Sequence, residues 1–158
     1  MNANELKHGK AYDCIFVLMP FEPQFRRVYT NHIVRVARSL ALTVARADDF
    51  FTARSVMSDI WNAICAAKLI VADCTHRNPN VFYEIGLAHV IGKKVILLTQ
   101  RKHDIPLGKN KEDMPFDIRH FHYIEYKPTP NGFRFLEIDL KKTIQTELGM
   151  VRSREEKS

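Results

Sequence analysis

At 158 residues the chain is long enough for one domain with a real core and too short for two. Apolar residues make up 46% and charged residues 27%, and no apolar run approaches transmembrane length, which excludes a helical membrane protein and points to a soluble, globular one. The formal charge of +6 suggests anionic partners without choosing among nucleotides, nucleic acid and no partner in particular.

Residues 1–10 read as a polar leader, 11–149 as a single α/β domain and 150–158 as a charged, disordered tail. Met1 to Lys7 hold no apolar signal segment, so a cytoplasmic location is expected. Cys14, Cys65 and Cys74 show no paired metal spacing and read as buried free thiols, and no metal is expected.

Tyr12 to Met19 is nearly all apolar in its second half and predicts a central strand ended by Pro20. The exit Met19-Pro20-Phe21 has two readings: a turn whose backbone N–H groups bind a substrate's phosphate or carboxylate, or an ordinary strand end. Phe25, Val28, Tyr29, His32, Ile33, Val36 and Leu40 recur at helical spacing, with Arg26, Arg27, Arg35 and Arg38 outward; His32 reads as a packed core histidine. Leu42 to Ala47 predicts a second strand running into Asp48-Asp49, which either face a cleft or serve the turn. Ser55 and Ser58 open a second helix with Val56, Ile60, Ile64 and Ala67 buried and Trp61 packed.

Lys68 to Asp73 is a short apolar run that delivers a carboxylate to the C-terminal edge of a parallel sheet. A helix follows. Asn78 or Asn80 caps it, Pro79 suits its first turn and Gly92 stops it. Val81, Ile85, Ala88 and Gly92 form its apolar face, and Glu84 lies on the border of that stripe. With Asn80 as cap the capping-box position falls on Tyr83, so Glu84 is either a half-exposed acid favoured by the helix dipole or a carboxylate held in the ligand cleft. Lys94 to Thr99 predicts a fourth strand, Gln100 to Pro115 a lid-like loop, Phe116 to His120 a turn, and Phe121 to Tyr126 a fifth strand near an edge. Phe133 to Leu148 predicts a closing helix with Phe135, Leu136, Leu140, Ile144 and Leu148 inward.

The βαβαβαβ alternation implies an α/β, flavodoxin-like, doubly wound three-layer sandwich with a five-stranded, mainly parallel sheet in the order 2-1-3-4-5. Neither a glycine fingerprint nor a Walker loop is present, which excludes a standard dehydrogenase and a P-loop NTPase. A receiver domain would carry acids after its first strand, where this chain has Met19-Pro20-Phe21.

Ala72-Asp73, then Asn78 to Gly86, then Gly92 to Leu98, resemble the core of the nucleoside 2-deoxyribosyltransferase-like family, whose neighbours are the Toll/interleukin-receptor (TIR)-like NAD-cleaving domains. The strand exit at Met19 and the segment Pro115 to His120 extend the likeness over about residues 12–126. The resemblance implies that Glu84 attacks or stabilises an anomeric carbon, in the manner of a retaining glycosidase, to cleave an N-glycosidic bond in a nucleoside, nucleotide or NAD. Asp73 is the first choice for a second acid, with Asp48 and Asp49 behind it. Asn78 stands where deoxyribosyltransferases carry an acid, which favours hydrolysis, or a different substrate, over base exchange. Met19, Pro20, Phe21, Asp48, Asp49, Ser55, Ser58, Asn78, Asn80 and Tyr83 are the candidate substrate contacts, and Gly86 is expected to admit sheet or substrate to the helix backbone. The alternative is a non-catalytic, nucleotide-binding TIR-like assembly module. No cofactor, membrane or nucleic-acid partner is expected, the basic residues lacking an aromatic platform, and the resemblance implies a homo-oligomer.

Overall fold

The structure is a computed structural model and describes residues 13–47, 56–101, 121 and 123–150. Five strands, β1 (Cys14–Leu18), β2 (Thr43–Arg46), β3 (Leu69–Asp73), β4 (Val95–Gln100) and β5 (Tyr123–Tyr126), form one sheet in the order β2-β1-β3-β4-β5. Every neighbouring pair is parallel, so the sheet is all-parallel where a mainly parallel one was expected. The connecting helices among the described residues are α1, α2 (Val56–Ala66), α3 (Pro79–Val90) and α4 (Pro130–Glu147). α1 runs without a break through Pro23–Val28, a π-helical stretch Tyr29–Ile33, and Val34–Ser39.

Strand alternation divides the core in two. Phe16, Leu18, Ile70, Ala72 and Leu97 pack with Ile60, Ile64, Val81 and Ile85, under α2 and α3. Ile15, Val17, Leu69, Val71, Leu98 and Ile124 pack with Phe25, Ile33, Leu136 and Leu140, under α1 and α4. β1 and β3 are buried at every position, because helices cover both their faces, while β2 and β5 at the edges are only partly buried. His32 is half-buried: its ring stacks on Phe133 at 4.3 Å and its Nδ1 lies 2.7 Å from Glu137 Oε1, tying α1 to α4.

Several side chains depart from the pattern expected of them. Phe135 and Trp61 are exposed, each lying one residue from an inward position (Leu136, Ile60) and hence about 100° round its helix. Cys65 is exposed, whereas Cys14 and Cys74 are buried as expected. α4 begins three residues before the expected Phe133, because Thr129 Oγ1 accepts from the Gly132 N–H at 3.1 Å and Pro130 takes the first turn. Gly86 faces outward, and a Cβ built there would meet nothing within 4 Å, so neither sheet nor neighbouring helix explains it. An exposed mid-helix glycine costs about 0.5–1 kcal/mol relative to alanine. The expected lid and turn at 102–120, the acids Asp48 and Asp49, Ser55, the side chain of Val56, the leader and the tail lie outside the described residues.

At Gly132 a Cβ would stand 2.2 Å from the Lys127 carbonyl oxygen, a contact that must push the first turn of α4 off the β5 exit. Gly132→Ala is therefore expected to lower stability by about 1–3 kcal/mol in urea titration, although alanine favours helix everywhere else.

Candidate functional site

The strands deliver their last residues to one edge, where the exits of β1 and β3 lie side by side through the pairing of Leu18 with Ala72. Asp73 ends β3 and is fully buried. Its Oδ1 accepts from the Thr75 N–H at 3.0 Å and the Thr75 hydroxyl at 2.5 Å, and its Oδ2 from the Tyr126 hydroxyl at 2.6 Å. Burial raises the Asp73 pKa and the bonds from Thr75 and Tyr126 oppose that rise. The Tyr126 phenol is pushed well above its ordinary value by burial and by the neighbouring carboxylate. Thr75 Oγ1 in turn accepts from the Gln100 N–H at 2.7 Å, so one carboxylate joins the ends of β3, β4 and β5.

The turn that follows is strained. His76 and Arg77 both take the left-handed conformation, at φ of 62° and 50°, where a side chain is disfavoured. His76 Nδ1 lies 3.2 Å from Glu22 Oε1, and its ring meets Phe25 edge-on, docking this turn against the β1 exit. Asn78 then caps α3, its Oδ1 accepting from the N–H groups of Asn80 at 3.0 Å and Val81 at 3.4 Å. Of the two candidate caps it is Asn78, and its amide oxygen is engaged by its own helix.

Glu84 sits in the second turn of α3, on the side that packs toward the sheet with Val81, Ile85 and Ala88. It is 8% exposed, and among the described residues its carboxylate has no hydrogen-bond or ion-pair partner. Burial alone pushes its pKa up to about 7. Of its two sequence readings, the half-exposed surface acid is excluded by this burial.

Side-chain parity separates the two acids. Asp73 shares the register of Leu69 and Val71 and points to the α1–α4 face, whereas Glu84 descends from α3 on the opposite face. Among the described strand residues the acid on Glu84's face is Glu125 of β5, in register with Tyr123, which packs against the α2–α3 core; its Oε2 is buried with no hydrogen-bond partner among the described residues. Sequence reading missed Glu125, and its signal was the alternation of Phe121 to Tyr126 itself.

At the β1 exit Met19 and Pro20 are buried and Phe21 is exposed. Arg46, the last residue of β2, lies beneath them, fully buried: its Nη2 donates to the Pro20 carbonyl at 3.0 Å, and its guanidinium carbon is 5.8 Å from the ring centroids of both Phe21 and Tyr29. It too was missed, though an arginine inside the run Leu42 to Ala47 was the available signal. Ser58, Asn80 and Tyr83 are exposed, Asn78 is half-buried, and Asp48, Asp49 and Ser55 lie outside the described residues. A cavity of about 510 Å³ opens elsewhere, between α1 and edge strand β2; Tyr29 lines it, but none of the candidate site residues does. Among the described residues no group of three His, Cys, Asp or Glu side chains could hold a metal, and no helix is long and apolar enough to cross a membrane.

No protein-family profile matches the chain, and no curated protein matches it. Among solved structures it is similar to the CMP N-glycosidase BcmB of Clostridium botulinum, with a TM-score of 0.55 and 20% identity over 80% of this chain and 98% of that one. It is also similar to a metazoan TIR-STING receptor from C. gigas, solved in complex with 2′,3′-cGAMP, with a TM-score of 0.63 and 16% identity over 87% of this chain and 40% of that one. The chain thus spans less than half of the receptor. At these identities the likeness shows a shared fold, that of a CMP N-glycosidase and of a TIR-containing receptor.

Tyr126→Phe leaves Asp73 Oδ2 without its donor in a fully buried position, and urea titration is expected to show a loss of about 1–3 kcal/mol. Glu84 carries a pH signature of its own. Its pKa is higher folded, at about 7, than the ordinary 4.5, so its neutral form suits the fold at low pH and stability is lost as pH rises from 4.5 through 7. Glu84→Gln cannot ionise, so its stability relative to the parent should improve by about 3 kcal/mol between pH 4.5 and pH 8, in urea titrations at each pH.

Proposed function

We propose that this protein cleaves an N-glycosidic bond in a nucleoside, nucleotide or NAD, with Glu84 as the carboxylate that meets the anomeric carbon. The observation that carries this is the burial of Glu84, partnerless among the described residues, at the ligand-bearing edge of an α/β sheet. A carboxylate desolvated in this way is a stronger nucleophile and a closer counter-charge to an oxocarbenium-like centre than one in water. The strained His76-Arg77 turn beside it and the shared fold with a CMP N-glycosidase support the same reading.

The step balances as follows. The C1′–N bond breaks and its electron pair leaves with the base, while Glu84 forms a bond or tight ion pair with C1′. Water then adds at C1′, releasing Glu84 as a carboxylate; for a nucleoside or nucleotide the proton lost from water replaces the one the base acquired, whereas nicotinamide leaves NAD as a neutral base and the water's proton passes to solvent. Protonation of the departing base needs a donor on Glu84's side of the sheet. Glu125 has that side, and Asp73, with both oxygens engaged, acts in this reading as a positioning group that holds the turn ahead of α3. Phe21, Tyr83, Ser58 and the capped Asn78-Pro79-Asn80 turn are the proposed contacts for base and sugar, with Met19, Pro20, Asp48, Asp49 and Ser55 completing the set. Hydrolysis is favoured over transfer because Asn78 cannot act as an acid.

The test is liberation of free base, followed by chromatography, from a panel of NAD, ribo- and deoxynucleoside monophosphates and free nucleosides. Glu84→Gln is expected to lower the rate by about 10³-fold or more, as removal of a nucleophile does. Activity of the parent should rise with pH toward a plateau above about 7, as Glu84 ionises. Folded protein that binds a nucleotide and releases no base from any substrate would sink the glycosidase reading and leave the non-catalytic assembly module.

A further inference from the structure

The cavity of about 510 Å³ between α1 and β2 lies on the opposite face of the sheet from Glu84, since Tyr29, Leu42 and Val44 pack in the core under α1 and α4. Its size suits a small organic ligand, for which pockets of about 300–1,000 Å³ are usual.

Two irregularities of the backbone frame it. Tyr29–Ile33 of α1 is π-helical, and the widened turn is closed by the Val34 N–H on the Tyr29 carbonyl, so both partners of that bond line the cavity. Single π turns inside α-helices are frequent at functional sites. Ala41 then takes a φ of 56°, a left-handed conformation usually left to glycine, and the Leu42 N–H returns to the Ala37 carbonyl at 3.0 Å. That reversal lays β2 alongside α1, with Tyr29 against the Arg46 end of the strand and Arg38 toward its Thr43 end.

The lining has a definite chemistry. Val34, Leu42 and Val44 make an apolar wall. Arg38 is exposed and has no ion pair among the described residues, and no acid lines the cavity beside it. The hydroxyls of Thr30 and Thr43 donate to the carbonyls of Arg26 at 3.0 Å and Asp13 at 3.2 Å, so toward the cavity they offer acceptor oxygens. The backbone of β2 contributes as well. β1 is its single neighbour in the sheet, and the Thr43 N–H is spent on Asp13, so strand alternation turns the N–H and C=O of Val44 to the open edge.

We infer that this cavity is a second ligand site, which takes a short apolar peptide by its free carboxyl end and lays it as an added strand along β2. Arg38 receives the terminal carboxylate through charge-assisted hydrogen bonds. The Val44 N–H and C=O pair with the peptide's main chain, and an apolar side chain of the peptide fills the wall of Val34, Leu42 and Val44. With Arg38 at the Thr43 end, the carboxyl end of the peptide lies beside the start of β2, so the two run antiparallel. A single arginine matches one negative charge, which disfavours a polyphosphate, and a cationic ligand would meet Arg38 with no acid to hold it. The inference is independent of the proposed reaction.

Calorimetric titration of the full chain with N-acetyl-Ala-Val-Leu tests this, beside the C-terminal amide of the same peptide and beside octanoate, which keeps a carboxylate and an apolar chain but has no peptide N–H. The acid is expected to bind saturably, and the amide and octanoate about tenfold or more weakly. Arg38→Gln, at an exposed position, should weaken the acid by about tenfold and leave the amide unchanged. Val34→Trp fills the cavity and should abolish binding of all three, with circular dichroism showing that the variant is folded. Glu84→Gln should bind the peptide as the parent does, so failure here and failure of the glycosidase reading are told apart. No saturable binding of the acid, an amide or octanoate that binds as tightly as the acid, or an Arg38→Gln variant that binds like the parent each overturns the inference.

Discussion

The Asp73 carboxylate is the constraint on which the C-terminal edge of the sheet depends. It is removed from water and satisfied by two donors from Thr75 and one from Tyr126, while Thr75 also receives the N–H of Gln100. A buried charge without such partners would be intolerable, so the three strand ends have little freedom to move apart. The same bonds set the direction in which the chain leaves β3. That direction carries it through two left-handed residues, His76 and Arg77, into a helix capped by Asn78. Strain in that turn is offset by the network beneath it, and the reward is that α3 starts at a defined height above the sheet with Glu84 turned inward.

Glu84 and Asp73 therefore play opposite parts despite being two carboxylates a short distance apart in sequence. Asp73 accepts three hydrogen bonds, which oppose the rise in its pKa that burial causes. Glu84 has none among the described residues, and burial drives its pKa toward neutrality. The fold bears the destabilisation of an under-solvated acid in its core, a pattern found where a group is held for chemistry instead of for stability. A second elevated constraint stands at the β1 exit, where Arg46 is buried beneath Pro20 and between the rings of Phe21 and Tyr29. It fixes the carbonyl of Pro20, two residues past the end of the first strand, and lends that corner of the sheet a positive charge.

The two outer layers of the sandwich differ as sharply as the two acids. The α1–α4 layer has the ordinary amphipathic division, apolar inward and charged outward, with His32 stacked on Phe133 joining its helices. The outer side of the α2–α3 layer mixes the exposed Met57, Trp61, Tyr83 and Val90 with the exposed polar Ser58 and Asn80.

Much of the fold was legible without coordinates. Three buried strands, β1, β3 and β4, showed as continuous apolar runs, each ending in a proline, an acid or a polar turn, and the order 2-1-3-4-5 was the natural choice for five strands alternating with helices through right-handed crossovers. Glu84 was legible too, as a carboxylate interrupting the core-facing side of a helix. Helix-facing errors such as Phe135 and Trp61 arose because a single residue's offset turns a side chain by about 100°, and sequence period alone does not fix the phase of a stripe. What only the tertiary structure decided is which polar groups meet. Asp73 finds Tyr126 across 53 residues of chain, Arg46 finds the Pro20 carbonyl across 26, and the sheet parity that sends Asp73 away from Glu84 is invisible until β3 and α3 are set in three dimensions. Local pattern is written in neighbours along the chain, whereas desolvation and pairing depend on neighbours in space, and those are created by the packing of the whole sheet.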